Sequence, residues 1–294
     1  MNIRPGESIY QAIVFLIAAL LCCFGAVTYF RRVRMQRPPV GVLNGLDIAV
    51  LFVFVLVIPF VYLLLPQIVS TLMLLLTFTG ALYIVLRPLM PLRFFWGIAL
   101  LLVSVNIVAT EFFIGTRLGW QIHWLTNSIL VLLTCIGVSN LYIQGGMRLR
   151  HVAWFALALA VYDFIFSLVI PVNLLLAEHL QAQPLNPSFG FPLGTYLANI
   201  GLGDLLMVSL FTTAAYKGFG RRGMVVALII SLIFGALLPG LTPIIVAATI
   251  GGNVQAIPVQ SIFGPVAFLG FLWLVRLAPE RSMAEWVHAE RRTL

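Results

Sequence analysis

The sequence predicts an all-α protein that crosses a membrane many times as one helical bundle. Hydrophobic residues make up 62% of the 294 residues and charged residues only 9%, and the mean hydropathy is +1.08. Apolar segments of about 20 residues, the length of a membrane-spanning helix, recur along nearly the whole chain. Because the hydrophilic connections are short, we expect residues 1–294 to form a single membrane-embedded domain rather than two soluble ones.

Nine spanning helices are predicted, in chain order. The first is longer than a typical signal-peptide core and no small-residue cleavage pattern follows it, so we expect it to be retained. Pro66 and Gln67 alone divide the second span from the third, and Pro239 and Pro243 predict a kink in the long eighth. The predicted spans are Ile9–Phe30, Asp47–Leu65, Ile68–Leu86, Phe94–Phe112, Trp124–Ile143, Val152–Val172, Tyr196–Tyr216, Met224–Ile250 and Ile257–Leu277.

The basic residues indicate how these spans are oriented, since cytoplasmic loops carry an excess of Lys and Arg. With an outside N-terminus, 15 of the 17 basic residues fall in inner loops or at the C-terminal end. Only Arg4 and Arg117 fall outside. We therefore predict nine transmembrane helices with the N-terminus outside and the C-terminus cytoplasmic. The tail, residues 279–294, is expected to form a short charged helix at the cytoplasmic surface.

Two of the three aspartates lie near the middle of predicted spans, Asp163 in the sixth and Asp204 in the seventh, whereas Asp47 lies at the start of the second. An ionisable residue at membrane depth is costly to insert and marks a functional site by default. At a rise of about 1.5 Å per residue, Asp163 lies about 14 Å and Asp204 about 12 Å from the outer ends of their predicted spans. The two are therefore level. Paired carboxyls can share one proton, so that one acts as general base and the other as general acid.

Neighbouring residues fit a site around this pair. Gly201 and Gly203 remove side chains where two helices must approach closely, and Tyr162 offers a hydroxyl that could orient a carboxyl or a bound peptide. Pro258 opens the ninth span, where it would leave backbone groups free at a cavity wall. Gln260 adds a buried amide that needs hydrogen-bond partners at membrane depth.

Tyr162-Asp163 on the sixth span and Gly201-Leu202-Gly203-Asp204 on the seventh resemble the motifs of the intramembrane aspartyl proteases, the signal peptide peptidase and presenilin family. The resemblance implies that Asp163 and Asp204 are the catalytic pair. It also implies substrates within the lipid bilayer, either transmembrane helices or signal-peptide remnants. The predicted orientation resembles the signal peptide peptidase branch.

The start of the ninth span departs from that family. The family has Pro-Ala-Leu there, whereas this chain has Pro258-Val259-Gln260. The resemblance implies that this segment lies beside the aspartates and shapes the substrate cleft. The substitutions at Val259 and Gln260 bear on the shape of that cleft and on activity itself.

Two other functions fit the same carboxyls: a proton-coupled transporter, and an inactive relative that binds membrane helices without cutting them. No second pair of broken, repeated spans is evident, which favours the protease over the transporter. The long outer loop Ala177–Thr195 is either a plain connector or a gate whose edge pairs with an unwound substrate.

Other sequence signals narrow the function further. The net charge of +8 is spread over loops without a continuous patch, so no nucleic-acid partner is expected. Cys22, Cys23 and Cys135 lie in apolar spans as packing residues. Neither His-Glu-x-x-His nor Gly-x-Ser-Gly occurs, and we expect no metal and no cofactor. Short loops, arginine-rich basic content and the lack of a glycosylation sequon predict a prokaryotic plasma membrane.

Overall fold

The protein is a bundle of long apolar helices with one small β-hairpin. Its structure, a computed structural model, describes residues 5–35, 45–170, 172–180, 183–194, 196–249 and 258–291. Within these ranges, eight helices are long and apolar enough to cross a membrane. The prediction of a mostly helical, multi-spanning membrane protein is therefore confirmed.

Prolines and capping residues set many of the helix boundaries. Pro66 and Pro91 each precede the first residue of a helix, and the hydroxyl of Thr116 accepts a 3.0 Å hydrogen bond from the Gly119 backbone. The elements are α1 (Pro5–Arg32), α2 (Gly45–Leu64), α3 (Gln67–Leu86), α4 (Leu92–Phe113), α5 (Arg117–Gln144), α6 (Leu149–Phe164), a π-helical turn (Ile165–Val169), α7 (Val172–Leu180), β1 (Ser188–Leu193), β2 (Tyr196–Gly201), α8 (Leu202–Leu232), a second π-helical turn (Ile233–Leu237), α9 (Leu238–Thr249), α10 (Val259–Leu277) and α11 (Met283–Arg291).

The core lies where α1, α5 and α8 pack together. Phe15 and Phe30 of α1, Leu130 of α5 and Phe211 of α8 are fully buried there. In contrast, α2 is the least buried of the candidate spans and exposes large apolar side chains such as Phe54. Exposed apolar surface of this kind suits contact with lipid, because lipid tails are as apolar as leucine.

The chain reverses direction within the longest candidate span, residues 202–249. The hydroxyls of Thr212 and Ser231 lie 3.3 Å apart, and a Cβ placed on Gly235 would lie 2.6 Å from Val208 Cγ1. Both pairs are centred between residues 221 and 222, so the stretches on either side run antiparallel. The reversal occurs next to Gly220, whose φ of 70° and ψ of −151° are not helical.

The predicted start of the seventh span at Tyr196 is corrected by the structure. Tyr196–Gly201 forms strand β2, which pairs antiparallel with β1 from Ser188↔Gly201 to Leu193↔Tyr196. Helix α8 begins only at Leu202, which places Asp204 in its first turn. The reason for the error is that an apolar run fits a buried strand as well as a helix.

The sixth span and the loop after it also differ from the prediction. Helix α6 ends at Phe164, and the following π-helical turn leads into α7, which continues past the predicted loop start at Ala177 to Leu180. Much of the predicted loop therefore has regular structure, because the β-hairpin supplies its own backbone hydrogen bonds.

The predicted break in the eighth span and the predicted tail helix have counterparts in the fold. The second π-helical turn ends at Leu237, two residues before Pro239, and Pro243 lies inside α9. The tail contains α11. The predicted boundaries at Ile250 and Ile257 and residues 292–294 of the tail lie outside the described residues.

Gly220→Ala is expected to lower the free energy of unfolding by about 1–3 kcal/mol, because this backbone region is nearly exclusive to glycine. A Cβ there would also lie 2.8 Å from a guanidinium nitrogen of Arg281. Titration with sodium dodecyl sulfate measures the effect. The matched control is Gly97→Ala, in open space on exposed α4, where alanine should be neutral or slightly stabilising. Equal stability of the two variants would contradict the role given to Gly220.

Candidate functional site

Asp163 and Asp204 meet at the ends of two helices. Asp163 is the penultimate residue of α6 and is buried, and Asp204 is the third residue of α8 and is partly buried. Gln260 hydrogen-bonds to both carboxyls, which therefore lie on either side of one residue. The structure therefore brings together the two residues on which the sequence argument depended.

Asp163 receives four hydrogen bonds. The Ser167 hydroxyl donates to Oδ1 at 2.8 Å and the Asn173 side-chain amide donates to the same atom at 3.1 Å. The backbone N–H groups of Gln260 and Ser261 donate to Oδ2 at 2.9 and 3.4 Å. An ionised carboxylate has about four acceptor positions, so this set of donors suits a charged Asp163.

Gln260 connects the two aspartates. While its backbone N–H donates to Asp163, its side-chain Nε2 donates to Asp204 Oδ1 at 2.8 Å. Gln260 is itself buried, and its Oε1 has no hydrogen-bond partner among the described residues. One residue thus fixes both carboxyls and presents a free acceptor beside them.

The start of α10 makes this contact possible. Pro258 has a non-helical backbone (φ −79°, ψ 76°) and directly precedes the helix, so Val259, Gln260 and Ser261 form its first turn. The first N–H groups of a helix have no partner within that helix. Two of them point at Asp163 instead, and the Ser261 hydroxyl donates to the Ala160 carbonyl at 3.1 Å.

Two other predicted site residues have roles that differ from those expected. The hydroxyl of Tyr162 reaches Asn173 Oδ1 at 3.4 Å, so it contacts a partner of Asp163 rather than a carboxyl. Gly203 is exposed, and a Cβ there would meet nothing within 4 Å. The expectation that Gly203 marks a close helix approach is therefore wrong, because it lies in the first turn of α8.

Gly201, Leu202 and Val259 complete the predicted set. A Cβ on Gly201 would lie 3.3 Å from Asp204 Oδ2, so a larger residue there would crowd the carboxylate. The N–H of Leu202 donates to the Pro187 carbonyl at 2.9 Å, which joins the start of α8 to the hairpin. The side chain of Val259, the residue between Pro258 and Gln260 in the sequence, is buried.

Sequence reasoning missed Ser167 and Asn173, the two side chains that donate to Asp163. Ser167 lies four residues after Asp163, and this spacing could have identified it as a neighbour on one helix face. Asn173 lies ten residues away, on α7, and reaches Asp163 only because the π-helical turn ends α6. No spacing rule for a straight helix would find that contact.

Amides and hydroxyls of α5 anchor the hairpin that leads into α8. The Asn127 side chain donates to the carbonyls of Asn186 and Ser188, the latter at 2.9 Å. Ser128 exchanges hydrogen bonds with both the carbonyl and the N–H of Gly190, at 2.9 and 3.1 Å. Because Ser188 pairs with Gly201, these contacts also fix the chain immediately before Asp204.

Helices α4 and α1 add further anchors. Asn106 Oδ1 accepts a 2.8 Å hydrogen bond from the Leu185 backbone, and the Tyr196 hydroxyl donates to Gln11 Oε1 at 2.8 Å. Burial raises the pKa of Tyr196 to about 12. The phenol therefore stays protonated and keeps this contact over the whole physiological pH range.

No protein-family model matches the chain, and no characterised protein matches its sequence at a significant level. Within the described ranges, no three His, Cys, Asp or Glu side chains come together in a group able to hold a metal ion.

Proposed function

We propose that this protein is an intramembrane aspartyl endopeptidase that hydrolyses peptide bonds within membrane-spanning segments. The observation that carries the proposal is the pair of carboxyls at facing helix ends, both hydrogen-bonded to Gln260. Catalysis by two carboxyls requires them to be close, desolvated and differently hydrogen-bonded, and each of these features is present.

The proposed topology has nine spans, with the N-terminus outside and the C-terminus cytoplasmic, in a prokaryotic plasma membrane. The reversal at Gly220 supports nine, since it divides the longest candidate span into two. Contacts among segments predicted to be cytoplasmic support their placement on one and the same side of the membrane. The Arg34 guanidinium lies 4.2 Å from the Trp286 ring centroid, and the Leu149 N–H donates to Glu280 Oε1 at 2.6 Å.

The hydrogen bonds assign different roles to the two carboxyls. Asp163, whose four donors favour its charged form, is the ionised member, and it acts as general base once a water molecule replaces one of these donors. Asp204 carries the proton and acts as general acid, while its Oδ1 accepts from Gln260. Transfer of the water proton to Asp163 neutralises its carboxylate, and the hydrogen bonds that it accepts become weaker.

Hydrolysis then proceeds in two steps, the formation and the collapse of a gem-diol. Asp163 takes one proton from a water molecule, whose oxygen bonds to the scissile carbonyl carbon while Asp204 gives its proton to the carbonyl oxygen. The resulting gem-diol collapses as the C–N bond breaks, with the departing nitrogen taking a proton from Asp163 and Asp204 regaining one from the diol. A carboxylic acid and an amine result, and the pair again holds one proton.

The substrate must be extended at the cleaved bond, because helical backbone N–H and C=O groups are already paired. The free Oε1 of Gln260 offers an acceptor for one of the released N–H groups beside the aspartates. Transmembrane helices and signal-peptide remnants are the proposed substrates. A site of this kind lies at membrane depth and therefore also needs access for water.

Asp163→Asn and Asp204→Asn should each lower the cleavage of a peptide with one apolar span by about 10³-fold or more, because base and acid act as a unit. Mass spectrometry of the products measures this, with size-exclusion profiles reporting folding. Asp47→Asn changes the third aspartate of the chain and is the matched control, expected to cleave at the unaltered rate.

Near-unaltered cleavage by either site variant would contradict the catalytic assignment. A proton flux in reconstituted vesicles that is driven by a solute and lost in Asp163→Asn would support a transporter instead. Binding of membrane helices without cleavage, by the unaltered protein as well, would support the inactive relative.

Gln260→Leu is expected to retain cleavage but to change the distribution of cleavage sites. The substitution keeps the backbone N–H to Asp163 and removes both the donor to Asp204 and the free Oε1 acceptor. Product masses from a peptide with several cleavable bonds measure the distribution. The control is Gln67→Leu at the exposed start of α3. An unchanged distribution in Gln260→Leu would show that this side chain does not contact substrate.

A further inference from the structure

The segment after α10 lies across one turn of α8. The backbone N–H and the Nε–H of Arg281 both donate to the Gly218 carbonyl, at 3.1 and 3.2 Å. The side chain of Glu280 covers Gly218 itself, since a Cβ there would lie 3.0 Å from Glu280 Cγ. Glycine at this position therefore makes room for the glutamate side chain against the helix.

Glu280 also contacts α6. Its Oε1 accepts a 2.6 Å hydrogen bond from the backbone N–H of Leu149, the first residue of that helix. The N–H groups of a first helical turn lack partners within the helix, and a negative charge there is favourable. The Glu280 carboxylate thus accepts a hydrogen bond from the first turn of α6, while the rest of its side chain packs against Gly218 of α8.

A buried lysine reinforces the same junction. Lys217 is fully buried on α8, and its Nζ donates to the carbonyl of Met147 in the turn before α6. Lys217 directly precedes Gly218, the residue that the Glu280 side chain covers. The junction therefore joins α6, α8 and the chain after α10 through a fully buried lysine and a partly buried glutamate.

The number of residues between this junction and the aspartate is the same on α6 as on α8. Leu149 precedes Asp163 by 14 residues, and Gly218 follows Asp204 by 14 residues. Both stretches are regular helix, so each measures about 21 Å. Because the helices run in opposite directions, holding Leu149 and Gly218 level also holds the two carboxyls level.

Helix α10 lies between the two points of contact. Gln260 stands in its first turn and joins the carboxyls, and Glu280 follows its last residue by three positions. The helix packs closely on both α6 and α8. The ring centroids of Phe263 and of Phe211 on α8 lie 5.7 Å apart. A Cβ on Gly264 would overlap the Ala156 carbonyl of α6. Helix α10 therefore links the contact at the aspartates with the contact at Glu280.

We infer that Glu280 is a positioning residue that sets the axial register of α6 against α8 and so aligns the aspartates from about 21 Å away. Loss of its contacts lets the two helices slide, and the carboxyls separate. Only the activity readout of this inference rests on the proposed function, since the register of the two helices can be measured without any reaction.

The register is measured by cross-linking at the aspartate positions. In a background with Cys22, Cys23 and Cys135 replaced by alanine, Asp163→Cys and Asp204→Cys are joined by a short bifunctional thiol reagent in the full-length protein. Glu280→Ala should slow this reaction at least about fivefold, as expected when a hydrogen bond to a charged group is lost. Glu285→Ala changes an exposed glutamate of the same tail and should leave the rate unchanged.

A second pair of variants removes only the hydrogen bond. Proline is well tolerated at the first position of a helix and lacks an N–H, and Arg148 already has the extended backbone that precedes proline readily (φ −100°, ψ 161°). Leu149→Pro should therefore slow cross-linking as Glu280→Ala does. Leu149→Ala, which shortens the same side chain but keeps the N–H, should have little effect.

Equal rates in Leu149→Pro and Leu149→Ala would overturn the inference, and this pair decides alone if Glu280→Ala does not fold. With the native aspartates, Glu280→Ala should lower kcat about tenfold at an unchanged KM, since alignment is lost rather than binding. Slower cross-linking in a protein that never cleaves would uphold the register and reject the proposed function.

Discussion

The placement of two carboxyls, Asp163 and Asp204, within an apolar bundle is the constraint on which the arrangement of the site depends. A carboxyl within an apolar bundle is stable only if donors replace the water that it has lost. Backbone N–H groups inside a helix are already used, so these donors must come from helix ends or side chains. The site therefore lies where α6 ends, α8 begins and α10 begins.

This requirement explains the irregular parts of the fold. The π-helical turn after α6 allows Asn173 of α7 to reach Asp163, and Pro258 leaves the first turn of α10 free to donate. The hairpin before α8 brings further unpaired backbone into the bundle, and Asn127 and Ser128 of α5 satisfy part of it. Each of these three breaks in regular structure thus has a polar partner nearby, as the cost of an unpaired buried group demands.

Much of the fold could be predicted from the sequence, because hydropathy and charge report directly on what can enter a membrane. The division at Pro66, the start of α10 near Pro258 and the pairing of two distant aspartates followed from such local signals. The strand at Tyr196–Gly201 did not, since the same apolar residues suit a helix. The roles of Asn173 and Glu280 depend on contacts between segments far apart in sequence, which no periodicity encodes.

The most direct measurement of the central claim uses purified protein and a peptide with one apolar span of about 20 residues. It is incubated with and without an analogue whose scissile amide is replaced by a hydroxyl-bearing isostere that mimics the tetrahedral intermediate. The account predicts products cut within the apolar span and loss of cleavage when the analogue is bound, because both carboxyls hydrogen-bond its hydroxyl. Absence of cleavage, or cleavage that the analogue does not inhibit, would contradict it.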